Sequence, residues 1–202
     1  IVGMTVYIKV IWFKIKAFIK KIKLNIFDIR NKKKLESFVK TSKPKIVFHL
    51  AAQPLILESY KKPYLTYTVN SLGTLNSLET LKNNNIIKSL VCITSDKCYE
   101  VNAHNDNNLG YIENDRLGGN DPYSASIAAS ESRIKSYRIS FINEKKSPLI
   151  ASVRAGNIIG GGDWADNRII PDIIRSIKDK TQLIIRSPNA IRPWQHVLDC
   201  LY

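Results

Sequence analysis

Short apolar runs alternate along this chain with longer stretches whose apolar residues recur at helical spacing. The runs at 23–27, 45–50, 90–93 and 149–153 have the length and content of strands, and 182–185 reads as a shorter one. Helical patterns lie between them. One covers 31–41. A second opens at Pro63, a residue suited to a first helical turn, and runs to about Lys82 with Leu65, Leu72, Leu75, Leu78 and Leu81 on one side. A third runs from Pro122 to about Glu144 and a fourth from Ile169 to about Lys180. Strands separated by helices predict an α/β chain built around a parallel sheet.

The opening segment, 5–24, supports two patterns. Residues 5–12 alternate like a strand, yet Ile8, Ile11, Trp12, Ile15, Phe18, Ile19 and Ile22 recur at helical spacing, with Lys9, Lys16, Lys20 and Lys23 on the other side. An amphipathic helix covering one face of the sheet is the preferred reading; a basic helix on a membrane surface is the alternative. No run of eighteen apolar residues occurs, so no spanning helix is expected. Lysines interrupt the opening segment and no small-residue cleavage site follows it, which argues against a secretory signal. The three cysteines, Cys92, Cys98 and Cys200, have no metal-ligand spacing; they read as reduced, buried thiols of a cytoplasmic protein, and no metal is expected.

With 202 residues the chain suffices for one domain with a sizeable core. Lys and Arg total 31 against 17 Asp and Glu, a net charge of +14 that favours anionic ligands such as nucleotides. The excess is spread through surface-like stretches and reads mainly as a solvated basic surface. It is the only feature that would support a polyanion binder, and no nucleic-acid partner is expected.

The densest candidate chemistry lies between Cys92 and Glu131. A buried strand runs into Thr94-Ser95-Asp96-Lys97-Cys98-Tyr99, and after a long polar loop a helix opens at Asp121-Pro122-Tyr123. Strand carboxyl ends face the ligand crevice in open α/β sheets, so a hydroxyl, an acid, an amine and a phenol gathered there can handle protons beside a ligand. Elsewhere, Asp28 stands at a strand end and reads either as the cap of the helix over 31–41 or as a cofactor contact. His49-Leu50-Ala51-Ala52-Gln53 follows a strand with small residues that permit close backbone approach, and His49 itself reads as structural or functional. Asn70 sits inside a helix, where it requires a partner for its amide. Gly160-Gly161-Gly162 lacks the spacing of a phosphate loop and reads as a flexible turn. Arg192 and Trp194 could hold a diphosphate and stack on a base, or simply pack a surface.

Several stretches together, His49 to Pro54, Thr94 to Glu100, Gly156 to Trp164 and Arg192 to Val197, resemble the extended short-chain dehydrogenase/reductases and, within them, the CDP-glucose 4,6-dehydratases. The resemblance covers about 26–202. It implies a Rossmann-like doubly wound parallel sheet, incomplete at the amino terminus and lacking most of the carboxy-terminal substrate lobe, which would begin at about 156. The implied activity is NAD-dependent dehydration of a nucleotide sugar, with an epimerase or a non-catalytic remnant as alternatives. The implied catalytic residues are Tyr123, Ser95, Asp96 and Lys97. Asp28, Ile29, Ala51, Ala52 and Gln53 would contact NAD, with Asn70 bracing the site beside it, and Asn157, Arg168 and Arg192 would contact the sugar nucleotide. Full-length members of such a family are expected to be homo-oligomers.

The sequence departs from that pattern twice. Between Ile1 and Gly73 the only glycine is Gly3, so no Gly-rich phosphate-binding turn can be built there. Four residues after Tyr123 the family carries a lysine, on the same helix face, that lowers the tyrosine's pKa; this chain has Ile127. Without such a cation a phenol of pKa near 10 is ionised to roughly one part in a thousand at pH 7.

Overall fold

The computed structural model describes residues 22–101, 110–142 and 147–202, which divide into a larger unit over 23–154 and a smaller one over 155–202. The expected helix over 5–24 lies outside the described residues except for 22–24, which are not helical.

In the larger unit, α1 (Lys32–Ser42) starts where Asn31 accepts the Lys34 backbone N–H and ends at Lys43, whose left-handed backbone lets its N–H reach the Val39 carbonyl. Leu35 and Val39, one turn apart, form its buried stripe. Strand β1 (Ile46–His49) pairs in parallel with β2 (Ser89–Ser95), matching Ile46 to Ser89 and His49 to Cys92. Strand β3 (Leu149–Ala155) lies on the other side of β2, giving the order β1-β2-β3. Along β1 the pleat buries His49 and leaves Ile46 and Phe48 56% and 54% exposed.

Two short helices follow β1: α2 (Ile56–Lys61), which sequence periodicity did not suggest, and α3 (Pro63–Tyr67), with Pro63 in its first turn. The predicted helix from Pro63 does continue, but through a π-helical stretch over Thr68–Leu72 before α4 (Gly73–Leu81). Helix α5 (Pro122–Phe141) begins at Asp121, which accepts the Ser124 N–H at 3.0 Å and the Ser124 hydroxyl at 2.6 Å. The main core gathers Ile29, Leu78, Leu90, Cys92, Ile134 and Ile150 between sheet and helices. At Gly73 a methyl group would meet Ile29 Cγ2 at 2.8 Å, so the chain before α1 and the start of α4 approach more closely than any side chain permits.

Three expectations are corrected. Residues 23–27 form no strand; no described strand lies beside them to complete a ladder, and Leu24 and Ile26 are exposed. Asp28 is not a helix cap, because Asn31 takes that position while Asp28 binds Arg30. Residues 182–185 are likewise outside any strand.

The smaller unit pairs β4 (Asn157–Ile159) in parallel with β5 (Trp194–His196). It also holds α6 (Ile169–Asp179) and a short α7 (Val197–Leu201), capped by His196 and Asp199. Pro171 is its buried helical residue, and Ile177, Ile184, Ile191 and Leu201 remain exposed.

A Gly73→Ala variant is expected to unfold more readily, by roughly 1–3 kcal/mol, because the added methyl group displaces Ile29. Urea unfolding of the two proteins checks this; equal midpoints would show that Ile29 yields without cost.

Candidate functional site

At the carboxyl end of β2, Leu90 and Cys92 fill the core, and the pleat brings Thr94 out on the same side toward α5. The next residues tighten into a single 3₁₀ turn, Asp96–Cys98, because the Ser95 hydroxyl oxygen accepts the Lys97 N–H at 3.3 Å. Ser95 donates to Asp96 Oδ1 at 3.0 Å, and Lys97 Nζ donates to Asp96 Oδ2 at 2.8 Å. The carboxylate is thus held between a hydroxyl and an ammonium, with both charged side chains partly open to solvent.

Helix α5 packs against this turn. The loop before it lies so close to the helix that a methyl group on Gly119 would meet the Ser124 carbonyl carbon at 2.5 Å. Tyr123, in the first helical turn, is buried in a cluster with Cys98, Tyr99, Ile127 and Ala128, and Leu117 packs against it. The structure therefore brings Tyr123 together with the residues that close the Ser95–Asp96–Lys97 turn. Ile127 lies one turn further along α5 and lines a small cavity of about 10 Å³ with Ala51, Ala52, Asn70, Thr94 and Ser130. Its buried side chain brings no donor and no charge to that cavity.

His49 borders the same cavity and is structural. Burial lowers its pKa to about 4, so it is neutral at physiological pH. Thr74 donates its hydroxyl hydrogen to the Asn70 carbonyl at 2.6 Å, so His49 Nε2, 3.0 Å from the Thr74 oxygen, is the donor in that pair. Ala51 is buried and Ala52 exposed just past β1, leaving only methyl groups at the strand end.

Gln53 and Asn70 brace this turn from behind. Asn70 accepts the Gln53 backbone N–H at 2.7 Å and donates to the Gln53 carbonyl at 3.2 Å and to Ser126 Oγ at 2.8 Å. The Gln53 side chain is held by Leu55 and Thr66. Both amides are engaged inside the protein, so what Gln53 and Asn70 offer a ligand is placement of backbone.

Asp28 and Ile29 are placed differently from each other. Ile29 is core, while Asp28 is gripped by Arg30 through contacts of 2.6–3.1 Å, and that guanidinium holds its carboxyl below the usual range. The pair borders an open groove of about 600 Å³ with Lys32, Lys33, Tyr64 and Thr68.

Sequence reading missed Glu131 and Arg154. Glu131, 3% exposed, accepts from Thr94 Oγ1 at 2.5 Å, Ser152 Oγ at 3.0 Å and Arg154 at 2.9 Å. Burial drives its carboxyl pKa upward, but these three donors, Arg154 foremost, outweigh it and hold the group ionised. A charged residue on α5 eight positions after Tyr123 was the available signal, and its partner on β3 is visible only in three dimensions. The thiols of Cys92 and Cys98 are pushed up by burial to about 12 and about 11. Cys200 is not buried, contrary to expectation.

In the smaller unit Asn157 is half-buried on β4, its N–H bound to the Pro193 carbonyl at 3.0 Å. Arg168 pairs with Asp163 at 3.0 Å, and exposed Arg192 donates to the neighbouring Ile191 carbonyl at 2.7 Å. The triple glycine precedes Asp163 in a turn.

The model of the NAD dependent epimerase/dehydratase family matches residues 11–201. The chain belongs to that family. CDP-glucose 4,6-dehydratase of Salmonella typhimurium is 50% identical over 181 residues, covering 88% of this chain and 50% of that protein. The dTDP-D-glucose 4,6-dehydratase of Dictyostelium discoideum is 34% identical over 165 residues, or 78% of this chain and 36% of that protein. This chain thus spans half the length of the first relative. Among solved structures, a double mutant of dTDP-glucose 4,6-dehydratase from Streptomyces venezuelae, with NAD bound, has a TM-score of 0.77 at 19% identity, covering 91% of this chain and 54% of that one. That likeness establishes the fold: an α/β, Rossmann-like arrangement with parallel strands.

The described residues fit a dinucleotide in part. Small residues past β1 and a carboxylate at Asp28 suit its approach, whereas Ile127 offers nothing to a ribose hydroxyl. No helix among the described residues is long and apolar enough to cross a membrane.

Because folding depresses the pKa of His49 from 6.5 to about 4, the unfolded chain binds the extra proton first as pH falls. Its contribution is complete above pH 6.5 and is lost progressively toward pH 4, a span worth roughly 3 kcal/mol. The unfolding free energy of His49→Gln is expected to fall less steeply than that of the unaltered chain between pH 6.5 and 4.5. Identical slopes would show that His49 is not the group being titrated.

Proposed function

We propose that this chain carries the reaction centre of a nucleotide-sugar 4,6-dehydratase acting on CDP-glucose, with turnover limited by Ile127. One observation supports the reading above the others: the hydroxyl–carboxylate–ammonium turn Ser95–Asp96–Lys97 is packed against the helix that opens with Tyr123. The 50% identity to a CDP-glucose 4,6-dehydratase supports the choice of substrate. Bound across the β-strand carboxyl ends, NAD would supply the hydride acceptor for the sugar C4 and return that hydride to C6. Asp28, Ile29 and the backbone of Ala51, Ala52 and Gln53 would hold it, with Asn70 keeping that backbone in place.

The protein's share of the chemistry is proton handling. Tyr123, as phenolate, takes the proton of the 4-hydroxyl, and Ser95 donates a hydrogen bond to the same oxygen. The resulting 4-keto group acidifies C5. As the C5 proton leaves to a base, Asp96 takes a proton from the Lys97 ammonium, one hydrogen bond behind it, and passes it to the 6-hydroxyl, which departs as water. Return of hydride to C6 and of a proton to C5 completes a 4-keto-6-deoxy sugar. Asn157, Arg168 and Arg192 belong, in this reading, to a substrate-binding lobe that begins at about 156, and the enzyme acts in the cytoplasm.

Ile127 is the weak point. A lysine there would place a cation one turn from Tyr123 and favour its phenolate form. A second reading, a non-catalytic family member, is favoured by the same residue.

Ile127→Lys is expected to raise formation of the 4-keto-6-deoxy product by roughly a hundredfold or more in the presence of NAD, the scale of a general acid–base contribution. If the unaltered chain matches the variant, Ile127 does not limit turnover. If neither yields product while NAD binds, the catalytic reading fails and the non-catalytic one stands.

A further inference from the structure

We infer that Arg154, anchored by buried Glu131, is a positioning residue for the Ser95–Tyr99 turn, acting through its hydrogen bonds to Tyr99 and to the loop that returns from it. The inference rests on the reaction proposed above and adds a role that neither the motif nor the chemistry requires.

A buried ion pair is a costly way to join α5 to β3, since a well-packed apolar pair of the same volume would do so as well or better. Here the guanidinium does more than answer the carboxylate. Its NH2 contacts Glu131 at 2.9 Å, while NH1 donates outward to the Tyr99 hydroxyl at 3.0 Å and to the Glu113 carbonyl at 2.9 Å. A planar fork can satisfy an inner anion and two outer acceptors at once, which a single ammonium cannot do with the same geometry.

The outer partners both lie on the loop that follows the acid turn. Tyr99 is the residue after the turn, and its ring stacks on Tyr111 at 4.6 Å, nearly parallel. The two legs of the loop are tied together by Glu100 N–H to the Arg116 carbonyl at 2.9 Å and Gly118 N–H to the Cys98 carbonyl at 2.8 Å. Displacing Tyr99 therefore displaces Cys98, and with it Asp96 and Lys97. The inner partner sits on the helix that carries Tyr123, eight residues or about 12 Å further along. One carboxylate thus links the phenol's helix to the acid's turn, and Thr94, the strand residue just before Ser95, is bound to the same carboxylate.

The decisive experiment measures backbone amide exchange in the unaltered chain, in Arg154→Lys and in Tyr99→Phe. Arg154→Lys keeps a cation beside Glu131 but loses the fork. Exchange at Glu100 and Gly118 is expected to quicken by about tenfold or more, while amides around Ile134 in α5 stay within about twofold. Tyr99→Phe leaves the ion pair whole and is expected to act in the same direction, so it decides the matter if Arg154→Lys fails to fold. No change at Glu100 and Gly118, or an equal rise throughout α5, would overturn the inference.

A second arm uses the Ile127→Lys background with NAD and CDP-glucose. There Arg154→Lys is expected to slow loss of the 6-hydroxyl more than oxidation at C4, so that the 4-keto sugar still bearing its 6-hydroxyl accumulates. Equal slowing of both steps would mark Arg154 as a general structural support. If that background shows no chemistry at all, the proposed reaction falls, and the exchange rates still decide what Arg154 positions.

Discussion

A buried amide must have its hydrogen bonds met by protein, because no solvent reaches it to meet them otherwise. Asn70, 1% exposed, imposes that demand at the centre of the larger unit. Its side chain fixes both the carbonyl and the N–H of Gln53, its second amide hydrogen meets Ser126, and its own carbonyl accepts from Thr74 and Ser130. Asn70 stands within the π-helical stretch Thr68–Leu72. The turn at Gln53 just past β1 and the start of α5 are both referred to this one side chain.

The same requirement explains the unusual composition of α5. Its buried face consists largely of Ser124, Ser126, Ala128, Ser130 and Glu131, with Tyr123, Ile127 and Ile134 as the bulky members. Small hydroxyl residues let the helix approach Asn70 and β2 closely and answer polar groups there. A helix buried through serines carries almost no apolar stripe, so the sequence locates it through its start signals, Asp121 and Pro122, more than through periodicity of its core face.

Legibility followed locality. The strands at 45–50, 90–93 and 149–153, the helix opening at Pro63 and the Thr94–Tyr99 turn were readable because their signals lie in consecutive residues. The strand expected at 23–27 failed for want of a neighbour among the described residues, since a strand is defined by its ladder and not by its own side chains. Of the two readings of Asp28, the cap fails because Arg30 takes its carboxylate instead. Glu131 and Arg154, twenty-three residues apart, could be joined only after β3 was laid beside β2. At Ile127 the sequence was informative through a departure from pattern, and the structure adds that the buried side chain lines a small cavity together with the small residues at the end of β1.

Thiol chemistry separates the two units. Cys92 and Cys98 are sealed in the larger unit and held as neutral thiols, whereas Cys200 lies partly open in the smaller one, with its Sγ 3.5 Å from the Gln195 amide oxygen. An alkylating dye applied to the folded chain therefore has one accessible target, which gives a fluorescent reporter on the smaller unit that leaves the Asp96 turn and its surroundings unlabelled.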